Sequence, residues 1–421
     1  MIESRRRNFR PVYLATEFGW SFFSLMVFTA SGLFMIQIAH LDALQLVLVG
    51  TALETAAFVF EVPTGVVADT VSRRLSIIVG TALMGLGFIV WGAAPLFLTI
   101  VLAQVLWGIG STFISGAWEA WIADESGEPD LGKVMLAGTQ AESAGALAGL
   151  LTGIVLGAVI GLAAPMIVGG VGYLAMAIGL AAVMPESHFS PAPRDRGAAR
   201  AMWSTFREGL VTVRVRPVLF TIFAITFIGG AASEAFDRLW QLHLVDDVGL
   251  PSAPALEPIV WIGLISAAAY GLAIVAARIA QRRVATETHL QAARTLLIVD
   301  AILMLAIIGF GLVGGLAAAA TLYLVARTAR RLRNPIYSAW INQSLTSAIR
   351  ATVLSMDAQL DALGQIIGGP IIGAFAVAAG TGKGMVVVGL VVGSSLLLYW
   401  RTIWLHGRDV IGPPPSAAPG L

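Results

Sequence analysis

The side chains with the most chemistry to offer in this chain are charged groups set inside otherwise apolar stretches. Arg327, Arg330 and Arg331 fall at i, i+3 and i+4, one face of a helix, with Arg333 close behind and a helix-kinking Pro335 after it. Guanidiniums so arranged can hold carboxylates or receive an anion. Asp357 and Asp361 share a face at i, i+4, whereas Glu54 and Glu142 have no nearby cation in the sequence. An apolar medium disfavours the charged carboxylate, which makes Glu54 and Glu142 the leading candidates for reversible protonation, with Asp357 and Asp361 behind them. Glu17, Glu61, Glu119, Glu234, Asp237, Arg238 and Asp300 complete the set. Of these, Glu17 and Glu61 are read as shallow, and Glu234, Asp237 and Arg238 as outer.

Covalent and metal chemistry find little support. Cys is absent, which removes disulfides, thiolate metal sites and a cysteine nucleophile. His40, His188, His289 and His406 fall in or near loops, His243 ends an apolar stretch, and no two of them make a metal pair. No nucleotide-binding P-loop is present. The expectation is a protein that is not an enzyme and uses no metal, cofactor or nucleic acid.

The elements that must position these charges are legible in the composition. Hydrophobic residues make up 57% of the 421 and charged residues 12%, with a mean hydropathy of +0.84. A soluble domain is about half apolar and a quarter charged. Hydrocarbon demands roughly 20 apolar residues per crossing, with every backbone group bonded inside the helix. Twelve such segments are predicted, at about 12–38, 43–68, 75–93, 96–123, 134–158, 163–184, 217–245, 257–280, 292–311, 314–345, 351–378 and 385–405. The first follows Arg5, Arg6 and Arg7, but it is too long for a signal peptide, carries Glu17 and lacks a small-residue cleavage site. Apart from Lys383, the Arg and Lys residues outside the spans fall on the side of the N-terminus. By the positive-inside rule both termini are cytoplasmic.

This reading divides the chain into a six-helix bundle at 1–184, a cytoplasmic loop at 185–216, a second bundle at 217–405 and a tail at 406–421. Within the loop, Ala198 to Val213 reads either as an amphipathic surface helix or as a basic linker. Six helices, a basic loop and six more is the layout of a transporter made of two related halves. A weak internal echo pairs Gly149 and Gly153 with Gly369 and Gly373. Lys133 and Lys383 are the only lysines, and such an Arg-, Ala- and Gly-rich chain is typical of GC-rich bacterial genomes.

The most specific local signal lies between spans two and three, where Gly65, Asp69, Arg73 and Arg74 form Gly-x-x-x-Asp-x-x-x-Arg-Arg. This resembles the loop signature of the major facilitator superfamily. Gly65 permits close packing, Asp69 can face an opposing helix N-terminus, and the arginines can pair with Glu119 and Asp124 at the base of span four. The resemblance implies an all-α membrane protein of twelve transmembrane helices in two six-helix bundles, and a cytoplasmic gate latched by this cluster in the outward-open state.

Gly145, Gly149 and Gly153 resemble the family's antiporter motif, with Leu150 in place of its proline and Ile154 in place of its last glycine. Gln104 stands where drug–proton antiporters of the family carry Arg. Phrases around Ser115–Ala120 and Arg350–Ser355 are similar to bacterial drug-efflux branches. In the family architecture spans one, four, seven and ten line a central cavity. That gives Trp20, Phe23, Trp107, Phe223, Phe227, Tyr323 and Tyr337, with Arg327, Arg330 and Arg331, as candidate cavity residues.

Two readings of the arginine face stand. In one the arginines pair structurally with Asp357 and Asp361; in the other they carry the coupling proton or receive a substrate anion. The implied activity is secondary active transport by alternating access. The favoured form is proton-coupled export of hydrophobic or amphipathic small molecules by a monomer in the bacterial cytoplasmic membrane. Organic-anion uptake and lipid translocation are the alternatives.

Overall fold

A computed structural model describes residues 2–191, 217–251, 257–283, 288–343, 345 and 347–409. Among the described residues all regular structure is helical. The first half contains α1 (Ile2–Leu33), α2 (Ala43–Thr70), α3 (Arg73–Ala93), α4 (Phe97–Ile114), α5 (Ala117–Ser126), α6 (Glu128–Val159) and α7 (Ala164–Val183). The second contains α8 (Pro217–Leu242), α9 (Pro258–Arg283), α10 (His289–Leu312), α11 (Leu316–Gln343), α12 (Ser347–Ala379) and α13 (Thr381–Asp409). Span four is broken at Ser115–Gly116, where Gly116 adopts φ 50°, so α4 and α5 together make one crossing. The first helix of each half runs on into a wider π-type stretch, Phe34–Ile38 after α1 and His243–Val248 after α8. The question of a surface helix at Ala198–Val213 lies outside the described residues, as does most of the tail.

The helices start where the local chemistry lets them. Asp42 and Thr288 form capping boxes with Gln45 and Gln291, and Ser72 accepts from the Leu75 amide at the start of α3. Eleven of the helices are long and apolar enough to cross a membrane. The twelfth crossing, α11, does not qualify by composition because of its arginines, yet its 28 residues extend about 42 Å at 1.5 Å per residue. Side chains such as Leu98, Val159, Ile178 and Leu397 are more than 70% exposed. Apolar surface on that scale is matched by lipid, not water. An even number of crossings brings both ends to one face of the bundle, here termed proximal; the opposite face is distal.

Within each half, glycine sets the closest approach. A Cβ at Gly145, Gly149 or Gly153 of α6 would run into the carbonyl oxygens of Phe18, Phe22 and Met26 in turn, so α6 lies backbone to backbone on α1. In the second half α12 lies on α8 the same way, with Gly364 against Phe227 and Gly368 against Ala231. These positions are one residue short of the Gly149/Gly369 pairing read from the sequence. Gly369 and Gly373 instead face Val47 and Leu44 of α2, across the boundary between halves.

The halves meet at the distal end. The Glu234–Arg238 ion pair sits directly on Gly50, Gln241 sits on Gly32, and Ile259 and Ile154 fill the spaces over Gly157 and Gly263. At the proximal end a Cβ on Gly65 would meet nothing, and Phe60, Val62 and Val66 of α2 are exposed.

The arginines of α11 find partners other than those the sequence suggested. Arg333 lies across the buried Asp300 of α10, its Nε 3.0 Å from Oδ1 and donating to Oδ2 at 3.3 Å. Ser395 of α13 donates to the same carboxylate at 3.2 Å, so one acid ties three helices. Asp357 instead accepts from Thr226 (2.5 Å) and Tyr337 (2.9 Å), and Asp361 from Gln365 (2.8 Å). The reason is directional: the face of α12 that carries both acids lies on α8, where Gly230 touches the Asp361 backbone, and Asp357 meets α11 at the Tyr337 hydroxyl and not at an arginine.

Two stability predictions follow from this packing. Gly149→Val should destabilise by about 1–3 kcal/mol, the usual cost of forcing bulk into a packed contact. Gly179→Ala, with nothing near its Cβ, should be close to neutral, and melting of both purified variants checks the contrast. Arg333→Ala should cost about 3–5 kcal/mol because it strands a buried carboxylate. Arg333→Met with Asp300→Leu should recover most of that; a double variant that melts as early as the single would remove the pair's structural role.

Candidate functional site

Two connected cavities run along the boundary between halves. The larger, about 1040 Å³, begins near Glu142 of α6, Ala280 of α9 and Pro335 of α11, toward the proximal end. The smaller, about 400 Å³, continues inward to Met35, Trp240 and Gln241, under the distal closure. Leu25, Leu150, Tyr270 and Arg331 line both, so they form one continuous space. Its volume suits a drug-sized organic molecule.

The two walls differ in character. The first half supplies Leu25, Phe28, Thr29, Trp107 and Leu150, with the Phe28 and Trp107 rings 5.0 Å apart. The second half supplies all the charges but Glu142, and a stack of Trp240 on Tyr323 at 4.3 Å. Arg327 Nη1 donates to Asp237 Oδ1 at 2.9 Å, while Arg330 Nη1 lies 2.7 Å from Oδ2, so one carboxylate serves two guanidiniums. Arg238 pairs with Glu234 at 2.9 Å. Arg331 has no carboxylate within ion-pair distance among the described residues; its guanidinium rests 5.0 Å over the Tyr270 ring.

Of the expected cavity aromatics, Trp107 and Tyr323 line this space, and five do not; Phe223 is buried in the apolar core of the second half. Trp20 packs on Trp118 at 4.6 Å and Phe23 beside Tyr173 at 6.2 Å, both inside the first half. Tyr337 hydrogen-bonds to Thr226 and Asp357 between α8, α11 and α12. Phe227 lies at the α8–α12 contact, its carbonyl against Gly364. Phe28, Trp240 and Tyr270 were missed. The first two lie on cavity spans one and seven and could have been found by period; Tyr270, on span eight, carried no such signal.

Among the acids, Glu142 is exposed at the proximal mouth. Glu54 is half-buried on α2, one turn beyond Gly50, within electrostatic reach of Glu234, Asp361 and Arg238. It is therefore the acid of the first half that faces the charged network of the second. Gln104 is fully buried, and its amide has no hydrogen-bond partner among the described residues.

The α2–α3 turn is held within the first half. Arg73 pairs with Asp124 and donates to the Ala120 carbonyl at 3.1 Å, as the sequence suggested for Asp124. Arg74 does not reach Glu119, which is exposed; its side chain donates to the Ala181 carbonyl. Glu186 is the residue that sequence reading passed over. Its carboxylate accepts from Ser72 Oγ at 2.7 Å and the Arg74 amide at 2.9 Å, a negative charge on the N-terminus of α3. Asp69 is exposed, so Gly65 and Asp69 are presented toward the proximal end with no contact to the second half among the described residues.

The family model of the Major Facilitator Superfamily matches residues 11–329. A curated relative, the uncharacterized MFS-type transporter YxaM of Bacillus subtilis (strain 168), is 25% identical over 365 residues, covering 85% of this chain and 87% of its own. Among solved structures, a bacterial homolog of the human lysosomal transporter Spinster, inward-facing and unoccupied, aligns with TM-score 0.72 over 98% of this chain and 99% of its own at 15% identity. The nucleoside transporter NupG aligns with TM-score 0.73 over 94% and 100% at 14% identity. At such identities these structures speak to fold alone. Twelve crossings in two bundles about a central cavity agree with the family match, which extends over most of the sequence: this chain belongs to the Major Facilitator Superfamily and is a multi-pass membrane transporter.

Proposed function

We propose that the protein is a proton-coupled secondary transporter that exports hydrophobic or amphipathic small molecules across a bacterial cytoplasmic membrane, acting as a single chain. The carrying observation is the cavity, with rings on both walls and most of its charge on the second-half wall, sealed distally by contacts between halves and leading toward the proximal end. Arg and Lys outside the spans concentrate at the proximal end, which supports a cytoplasmic location for both termini. With that orientation the conformation is inward-open. The bundles at 1–184 and 217–405 then rock about the cavity, and in the outward-open state the Gly65–Arg74 turn closes on the second half. The unpacked face of Gly65 and the exposed Asp69 are the surfaces left for that contact.

Glu54 is the leading coupling acid in this reading. Separation of the distal contact would carry it away from Arg238 and Glu234, so its charge is tied to which state is populated. Glu142, at the mouth, is the second. The excess of arginine over acid in the cavity favours an organic anion as the alternative cargo.

Alternating access can be tested against a clean background, since the chain has no Cys. A Cβ at Gly373 would lie 3.2 Å from that of Val47, close to the span of about 3.5–4.5 Å that a disulfide bridges. Val47→Cys with Gly373→Cys should crosslink on oxidation, arrest transport in proteoliposomes and recover it on reduction; undiminished flux in the crosslinked protein would exclude distal opening. For coupling, flux should respond to an imposed pH gradient, and Glu54→Gln or Glu142→Gln should abolish that response while sparing passive exchange. Wild-type flux indifferent to the gradient would make the protein a uniporter or tie it to another ion.

A further inference from the structure

The unpaired guanidinium of Arg331 carries the substrate class further. Three arginines, Arg238, Arg327 and Arg331, line the cavity from the second half, and Arg330 stands behind them. Arg238 is answered by Glu234, and Arg327 and Arg330 divide Asp237 between them. Arg333 is spoken for by Asp300, deeper among α10, α11 and α13. Arg331 has only the Tyr270 ring. Among the residues that line the cavity, Asp237 and Glu142 face Arg238, Arg327 and Arg331, an excess of one positive charge. Glu142, which lines the larger cavity from the first half, makes no ion pair with Arg331. A cation excess between low-dielectric walls concentrates anions.

The position of Arg331 points the same way. It lines both parts of the cavity, at the junction between the proximal mouth and the distal closure. Its guanidinium carbon lies 5.0 Å over the Tyr270 ring, a cation–π contact. Among the described residues no ion pair takes up its N–H groups, the donors for the planar, two-pronged contact that guanidinium makes with a carboxylate, sulfonate or phosphate oxygen pair. Opposite stand the apolar surfaces of Leu25, Phe28 and Trp107, which suit rings and alkyl chains.

We infer that the transported compounds are amphipathic organic anions, with the acid group received by Arg331 and the apolar body laid against Phe28 and Trp107. This rests on the reading of the cavity as an amphipath site and narrows it from any amphipath to acids.

The test uses the full-length protein in lipid nanodiscs and three probes of one skeleton: 4-(1-naphthyl)butyric acid, its primary amide, and 4-(1-naphthyl)butylamine. Equilibrium dialysis, corrected with empty nanodiscs, measures binding of each at neutral pH. The acid should bind at least about tenfold more tightly than the amide or the amine, and Arg331→Gln should erase that preference by bringing acid binding to the level of the amide. Arg331→Lys should restore part of it, since a point charge replaces the fork. If the wild type binds the amide or amine as well as the acid, this inference fails and the export reading stands. Acid preference that persists in Arg331→Gln removes Arg331 from the role. Binding of none of the three overturns both this inference and the amphipath reading. Should Arg331→Gln not fold, the wild-type ranking of the three probes and the Arg331→Lys variant still decide the matter.

Discussion

A guanidinium inside hydrocarbon must be answered by a carboxylate, a ring face or water, and α11 carries four of them. Much of the second half is arranged to give that answer. Asp300 reaches Arg333 from α10 and is itself steadied by Ser395 of α13. Asp237 reaches Arg327 and Arg330 from α8. Tyr270 covers Arg331 from α9. Each answer draws a neighbouring helix against α11, so a segment too polar to cross a membrane alone becomes the hub on which its neighbours converge. The answers grow weaker toward the cavity, from a buried one-to-one pair, to a shared carboxylate, to a ring face. What is left over is a positive wall.

The glycine contacts divide the molecule by how much they can give. Along the α1–α6 and α8–α12 seams, the space a Cβ would need is occupied by backbone: the carbonyls of Phe18, Phe22 and Met26 against α6, and that of Phe227 against α12. Backbone cannot swing aside, so those pairs move together. Between halves, the space over Gly32, Gly50, Gly157 and Gly263 is occupied by the ends of Gln241, Glu234, Arg238, Ile259 and Ile154, while Gly373 meets the backbone of Ala43 and Leu44. Side-chain ends can withdraw by rotamer change. A boundary built from such ends can open without disturbing either half, which is the mechanical requirement of a rocking transporter. The turn held by Arg73, Asp124 and Glu186 is likewise bonded inside the first half, leaving Gly65 and Asp69 uncommitted.

The crossings were legible in the sequence because hydrocarbon imposes a length and leaves the backbone one way to satisfy itself. The α2–α3 turn was legible because its residues are neighbours in the chain, and the Arg73–Asp124 pair followed from placing spans two to four side by side. Partners chosen across the bundle were not legible. Asp357 and Asp361 looked like the natural acids for α11 because they are near in sequence and share a helical face, but that face is turned to α8. Asp237 and Asp300, isolated in the sequence, hold the arginines instead. Trp20 and Phe23 lie on a cavity helix yet point into their own bundle, whereas Tyr270 reaches the cavity from a helix not counted among its walls. Helical period fixes which residues share a face. Which neighbour that face meets is set by how helices are rotated and packed, through contacts between residues far apart in the chain, and only the tertiary structure decides it.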